Sequence, residues 1–142
     1  MSPVEIIKEN EISIGALESV FQRAFINAET TGDDQVWVKM ESFLPVKIEL
    51  DVENKMIKLE SATGIKEAAP ESEKYAFANR LNGALLVRFY ILEGGRVLVG
   101  DYYLSYEGGL SAYQIVNTYR IFSRVFVGVL RSVYKSGGLL DI

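Results

Sequence analysis

Between residues 36 and 60 apolar and polar side chains alternate, a pattern that is typical of half-buried strands. The apolar positions are Val36, Val38 and Met40, then Val46, Ile48 and Leu50, then Ile57 and Leu59. A turn at Glu53-Asn54 pairs Ile48 with Leu59 on one face and Lys47 with Glu60 on the other. Because the members of each pair match in character, the pattern predicts three consecutive antiparallel strands in this register.

A second hairpin is predicted at Gly94-Gly95, because two-residue hairpin turns require positive φ values, which glycine tolerates. With this pair as the turn, Arg88 lies opposite Asp101 and Phe89 lies opposite Gly100. Opposite charges that face each other favour this register, and aromatic rings often cover the space beside a strand glycine. We therefore predict that Phe89 covers the gap at Gly100.

Three segments repeat apolar residues at helical spacing. The first is predicted from about Ile12 to Asn27, and a break follows at residues 30–34. Its apolar face contains Ile14, Leu17, Phe21, Ala24, Phe25 and Ala28. A short second helix starts near Pro70 and ends at Asn82-Gly83. The longest helix runs from Ser111, which has capping-box spacing to Gln114, as far as Lys135.

These elements predict a single α+β domain over residues 1–142. The domain has a five-stranded antiparallel sheet and three helices, in the order α-β-β-β-α-β-β-α. A chain of this length buries enough apolar surface to fold without disulfides or a structural metal. The predicted registers place most apolar strand residues on one face of the sheet, which we expect the helices to cover.

The other face of the predicted sheet is not uniform. Its first three strands present charged side chains, as a solvated antiparallel sheet does. The last two strands present an aromatic and apolar patch around a charge pair, made of Arg88, Tyr90, Leu92, Val97, Val99, Asp101 and Tyr103. Such a patch on a charged face is typical of an interaction surface, unless the long helix or the C-terminal residues 139–142 cover it. We treat these seven residues as the candidate interface for a second copy, another protein or a small ligand, although Arg88 and Asp101 also suit a structural pair.

The long helix combines a polar, basic stripe with a wide apolar arc. The stripe consists of Asn117, Arg120, Arg124, Gly128, Arg131 and Lys135, which recur at three- and four-residue steps. A solvated helix face explains the stripe, but the apolar arc is wider than a single packing contact needs. At about 36 Å the helix is also as long as a compact domain of this size. We therefore expect a homodimer that buries part of this helix, the candidate interface, or both.

The composition excludes several kinds of chemistry. The chain contains no cysteine and no histidine, so it lacks thiols and the usual ligands of zinc, copper and haem. Ser132 and Lys135 have the spacing of a penicillin-binding motif, but they lie at a helix end without the partner motifs. The sequence therefore predicts a protein that is not an enzyme and that has no catalytic residue, cofactor or metal site.

Charge and hydropathy limit the partners and the location. The net charge of −4 and the isoelectric point near 4.9 disfavour binding to nucleic acid or to acidic membranes. No segment is apolar enough to span a bilayer, and residues 1–11 lack the apolar run of a signal peptide. We expect a cytoplasmic protein that binds neither nucleic acid nor membranes.

Four short motifs stand out between residues 79 and 109. They are Asn79-Arg80-Leu81-Asn82, Arg88-Phe89-Tyr90-Ile91, Asp101-Tyr102-Tyr103-Leu104 and Glu107-Gly108-Gly109, the last of which precedes the long helix. Together with the order of the elements, these motifs resemble the YbjN family, candidate sensory transduction regulators of bacteria. That family is similar in fold to type III secretion chaperones. The resemblance implies this fold and frequent homodimers, but none of the motifs is catalytic and the family's biochemical role is largely undefined.

The resemblance and the candidate interface together predict a non-enzymatic, protein-binding domain of chaperone-like or regulatory type. Its partners would be a second copy of the chain and a further protein of unknown identity. The alternative is a sensor domain that binds a small molecule in a pocket between the helices and the sheet. A ligand retained through purification would favour the alternative.

Overall fold

The computed structural model describes residues 5–32, 34–65, 70–83, 87–92 and 94–137, and their side chains as far as Arg131. In this part of the chain the strands are β1 (Ile6–Ile7), β2 (Asn27–Thr31), β3 (Gln35–Lys39), β4 (Val46–Asp51), β5 (Met56–Gly64), β6 (Arg88–Ile91), β7 (Val97–Ser105) and β8 (Leu110–Ser111). The α-helices are α1 (Ile14–Arg23), α2 (Glu71–Leu81) and α3 (Ala112–Gly137), and one turn of 3-10 helix covers Glu9–Glu11. The predicted α+β class with three α-helices is confirmed for the described residues.

The main sheet contains six strands rather than the predicted five, in the order β2-β3-β4-β5-β7-β6, and every neighbouring pair is antiparallel. The additional strand is β2, which pairs with β3 and places Ala28 opposite Val38. The sequence indicated a helix end and a break here, because Ala28 is the only buried residue of β2 and the strand has no apolar alternation. A second, two-stranded sheet joins β1 to β8.

The first helix is shorter than predicted. Ser13 caps α1 by accepting a hydrogen bond from the backbone N–H of Ala16, and the helix ends at Arg23. Phe25, which was predicted on the apolar face of this helix, lies beyond its end with a φ of 62°. Its side chain is 98% exposed, so the prediction that it packs in the core is wrong.

Both predicted hairpin registers are confirmed. In the β4–β5 hairpin, Ile48 pairs with Leu59 and Lys47 pairs with Glu60. In the β6–β7 hairpin, Arg88 pairs with Asp101, and Gly94 and Gly95 both have positive φ values. Charge pairs therefore define both registers locally, and a glycine turn supports the second.

The starts of the second and third helices also agree with the sequence signals. Pro70 precedes the first residue of α2, and Asn82 follows its last residue. At the start of α3, Ser111 Oγ accepts a hydrogen bond from the N–H of Gln114 at 3.0 Å, and the Gln114 side chain accepts one from the N–H of Ser111 at 2.8 Å. This reciprocal pair is the predicted capping box.

One face of the main sheet packs against the helices and forms the core. Phe126 of α3 stacks on Phe89 of β6 with a ring-centre distance of 5.6 Å. A Cβ atom on Gly100 would lie 2.5 Å from the Phe126 ring and 3.0 Å from Val87. Phe89 lies opposite Gly100 as predicted, but the side chain nearest to the space at Gly100 is Phe126 of the long helix, for which the sequence indicated no such role.

The small β1–β8 sheet holds the N-terminal segment beside the start of α3. A Cβ atom on Gly109 would lie 2.8 Å from the carbonyl oxygen of Ile7, so the two backbones are in close contact. The Glu9 carboxylate accepts hydrogen bonds from Lys55 Nζ at 2.8 Å and from the N–H of Gly108 at 2.9 Å. These two donors hold the pKa of Glu9 below its ordinary value, with Lys55 as the larger cause.

Candidate interface on the open sheet face

We call the face of the main sheet that points away from the helices the open face. On this face the cross-strand neighbours form three parallel rows. The central row contains Trp37, Lys47, Glu60, Asp101 and Arg88. A second row, on one side of it, contains Glu49, Lys58 and Tyr103, and a third row, on the other side, contains Ala62, Val99 and Tyr90. Acidic and basic residues are neighbours in the first two rows, so the centre of the open face is a network of opposite charges.

Arg88 and Asp101 form the strongest pair on this face. Arg88 Nε lies 3.0 Å from Asp101 Oδ1, and Arg88 Nη2 lies 2.7 Å from Asp101 Oδ2. The carboxylate side chain is 1% exposed, whereas the arginine side chain is 64% exposed. The two hydrogen bonds raise the pKa of Arg88 above its ordinary value. A bidentate pair of this kind holds the ends of β6 and β7 in register.

Lysine and glutamate side chains form a second cluster beside this pair. Lys58 Nζ lies 2.8 Å from Glu60 and Lys47 Nζ lies 3.5 Å from it. Burial by itself raises the pKa of Glu60, but its hydrogen bond with Lys58 and the charges of both lysines lower it, and the net shift is downward. Lys58 also lies 5.9 Å from the ring centre of Tyr103, and Arg88 lies 5.2 Å from that of Tyr90. The tyrosines are therefore neighbours of cations, which makes the patch less apolar than its sequence indicated.

The seven residues of the candidate interface lie on this face or at its edge, but they are not equally accessible. Leu92 is 46% exposed, Tyr103 is 41% exposed and Arg88 is exposed, while Tyr90 and Val97 are half-buried. Val99 and Asp101 are only 2% and 1% exposed. A partner could therefore contact the rim of the patch, while its centre is already buried within the chain.

Trp37 is a further residue of the open face, which the candidate interface predicted from the sequence does not include. The side chain is 40% exposed and lies on the open face beside Lys47. A shallow cavity of about 160 Å³ adjoins it, lined by Trp37, Pro45, Lys47, Glu60, Ser61 and Ala62. One signal in the sequence could have identified Trp37: it is a tryptophan at a position of β3 where the alternation predicts a polar residue. Tryptophan is enriched in protein interfaces.

Side chains of α1, and of Asn82 directly after α2, contact the two outer edges of the main sheet. On β2, the carbonyl of Ala28 accepts a hydrogen bond from Gln22, and the N–H of Thr30 donates one to Glu18 at 2.7 Å. On β6, the Asn82 side chain bonds both the N–H and the carbonyl of Phe89, at 2.6 and 2.7 Å. These contacts blunt the two edges against the addition of another strand.

A cavity also lies between the long helix and the sheet, where the sequence suggested a ligand pocket as the alternative. It has a volume of about 190 Å³ and is lined by Val87, Tyr102, Thr118, Ile121 and Phe122. Ligand pockets usually measure about 300–1,000 Å³. The volume suits a small fragment better than a typical metabolite.

Two further features of the described residues bear on the site. Among them, no group of three or more acidic side chains is close enough together to hold a metal ion. No helix in the same part of the chain is both long and apolar enough to cross a membrane. Residues 139–142, which were considered as a cover for the patch, lie outside the described residues, as does the side chain of Lys135.

Several solved structures are similar in fold to this chain. The chain is similar to the crystal structure of YbjN from E. coli, named as a candidate transcription regulator, with a TM-score of 0.76 and 15% identity over 92% of this chain and 97% of that one. It is also similar to an uncharacterised protein from Methanothermobacter thermautotrophicus, with a TM-score of 0.65 and 13% identity over 89% of this chain and 99% of that one. The predicted resemblance to YbjN is confirmed at the level of the fold.

A third similar structure is a chain of the HopA1–SchA chaperone–effector complex. Its TM-score is 0.54 and its identity is 12%, over 84% of this chain and 88% of that one. The chain thus has a fold that is shared with YbjN and with a protein of a chaperone–effector complex. No protein-family model matches the sequence. No curated protein matches it either.

Proposed function

We propose that this chain is a non-enzymatic, protein-binding domain of chaperone-like or regulatory type. We further propose that it binds its partners through three exposed residues of the open face, Trp37, Leu92 and Tyr103, which we call the rim. The observation that carries this proposal is the exposure of Trp37, Leu92 and Tyr103 on a sheet face away from the three helices. The helices occupy the opposite face, and side chains of α1 and of Asn82, the residue after α2, contact the two edges. A face is therefore a better docking surface on this sheet than an edge.

The comparisons support a protein partner. One similar structure is named as a candidate transcription regulator and another is part of a chaperone–effector complex. Neither name describes an enzyme. At 12–15% identity these likenesses extend to the fold, so the partner of this chain is part of the proposal.

We further propose that one partner is a second copy of the chain, in a homodimer that buries the rim of the open face. A stable symmetric contact buries about 1,200–2,000 Å² in total, and a charge introduced at its centre strongly opposes association. Light scattering of the purified protein at low micromolar concentration should give twice the chain mass of 15.9 kDa. The cytoplasmic location expected from the sequence stays a prediction, which fractionation of the native cell checks.

The exposure of each side chain decides which variants test this interface. Leu92→Asp and Tyr103→Asp place a charge at accessible positions of the open face, whereas Val99 is too buried to be changed without affecting folding. Each variant should weaken the dimer by at least about a hundredfold. Tyr75→Asp on α2, which is 57% exposed, is the matched control and should leave the dimer intact. A monomer of 15.9 kDa for the unaltered protein would show that the dimer proposal is wrong.

A further inference from the structure

The outer surface of α3 carries a row of arginines that the open-face proposal does not use. We call Arg120, Arg124 and Arg131 the arginine stripe; all three are exposed. At roughly 100° per residue they fall within about 40° of one another, and they span about 16 Å along the helix axis. Residues 112–137 contain no aspartate or glutamate, although the whole chain has a net charge of −4. The stripe is thus a continuous positive strip on an acidic protein.

The arginines of the stripe form no ion pair with the described residues. By contrast, Arg23 and Arg88 pair with acidic residues. Solvent-exposed helices often place acids four residues from their cations, and α3 does not. The helix dipole stabilises cations only within about the last turn, but Arg124 lies far from the C-terminal end at Gly137. Neither an ion pair within the helix nor the helix dipole therefore stabilises Arg120 and Arg124.

Gly128 lies beside the arginine stripe, about 40° from Arg124 around the helix and between Arg124 and Arg131 in sequence. Glycine in the interior of a helix is destabilising relative to alanine and often has a packing or functional reason. Here a Cβ atom would have no neighbour within 4 Å among the described surroundings, so the chain itself gives no packing reason for glycine. The exposed backbone at this position would let another helix approach α3 closely.

An apolar groove adjoins the C-terminal end of the stripe. The groove has a volume of about 300 Å³ and is lined by Ser42, Phe43, Leu44, Val127, Leu130 and Arg131. Arg131 therefore belongs to both the groove and the stripe. This arrangement places an apolar site at one end of a cationic strip, which matches a ligand that has one anchoring side chain and several negative charges.

We propose that the arginine stripe and this groove bind an acidic amphipathic helix of a partner protein. Aspartate or glutamate side chains of that helix face Arg120, Arg124 and Arg131, an apolar side chain enters the groove, and the two backbones approach at Gly128. The net negative charge of the chain disfavours nucleic acid and anionic membranes as occupants of the stripe. The stripe lies on the opposite side of the molecule from the open face, so this surface is independent of the proposed dimer.

The probe for the first test is a synthetic helical peptide of about 18 residues, roughly 27 Å long, with a row of glutamates and one leucine on the same side. A matched peptide has glutamine in place of each glutamate. We expect fluorescence polarisation to show that the glutamate peptide binds at least about tenfold more tightly, and that added salt weakens its binding. Arg124→Glu should reduce the affinity at least about tenfold, while Lys39→Glu, an equal charge change on β3, should reduce it less than about twofold.

Two further variants separate packing from charge and from the open face. Gly128→Leu should raise the melting temperature, because leucine favours the helix, and should still weaken peptide binding at least about tenfold. Leu92→Asp should leave peptide binding unchanged. Equal binding of the two peptides, equal effects of Arg124→Glu and Lys39→Glu, or no effect of Gly128→Leu would overturn the proposal. Tighter binding of a single-stranded RNA oligomer or of phosphatidylglycerol vesicles than of the glutamate peptide would also overturn it.

Discussion

The two faces of the main sheet bury their central residues by different means. On the covered face, Phe126 of α3 packs against Gly100 and stacks on Phe89, so residues distant in sequence fill the space. On the open face, Asp101 is just as buried, but its charge partner Arg88 lies on the neighbouring strand. Long-range packing therefore stabilises one face, and local cross-strand pairs organise the other.

This difference indicates which positions of the open face are available to a partner. Arg88 already binds Asp101, and Lys47 and Lys58 already pair with Glu60. The charged groups at the centre of the open face therefore have partners within the chain. Trp37 and Tyr103 remain exposed beside that network. A partner that binds this face would contact the aromatic rim and would not need to break the central pairs.

The largest expected effect is on the covered face. Phe126→Ala should lower the free energy of unfolding by about 3–5 kcal/mol, because it removes a buried ring and leaves a cavity at Gly100. Tyr113→Ala, at a 56% exposed position of the same helix, should change it by no more than about 0.5 kcal/mol. Urea denaturation of both variants measures the difference. Similar values for the two would contradict the view that α3 packing stabilises the covered face.

A smaller and asymmetric effect is expected at the central pair of the open face. Arg88→Ala should destabilise the protein by about 3 kcal/mol, because the buried Asp101 carboxylate loses its partner and stays out of water. Asp101→Asn should cost only about 1 kcal/mol, since the exposed guanidinium of Arg88 returns to water and asparagine still accepts a hydrogen bond. Denaturant titration of the two variants tests the asymmetry. If the aspartate variant were the less stable of the two, this account of the pair would be wrong.

The smallest effect concerns the titration of Glu60. Because Lys58 and Lys47 lower its pKa, its midpoint in the folded protein should lie below the ordinary value of 4.5. A lowered pKa means that Glu60 stabilises the fold above that value and that this contribution is lost as the pH falls through the folded-state pKa. Lys58→Met should raise the midpoint, which NMR titration of the side-chain carboxyl carbon measures. An unchanged midpoint would show that Lys58 does not control Glu60.

Local signals predicted the parts of the fold that depend on neighbours in sequence. The pairing of Lys47 with Glu60 and of Arg88 with Asp101 follows from charge patterns and from the turns between the strands. The capping box at Ser111 follows from a three-residue spacing. Within the candidate interface, these signals placed Leu92 and Tyr103 at accessible positions away from the core. They could not show that Val99 is buried, because accessibility depends on everything that surrounds a side chain.

Alternation, turn glycines and helix caps thus determined the strand registers and the helix starts from the sequence by itself, because each depends on a few residues within one hairpin or one helical turn. Only the tertiary structure decided that residues 27–31 form a strand, since β3 and the side chains of α1 supply the partners that this polar segment lacks in its own sequence. It likewise decided that Phe126 fills the space at Gly100 and that Phe25 is exposed. Such contacts join elements that are far apart in the chain. A local sequence pattern does not indicate which distant side chain will pack against a given position.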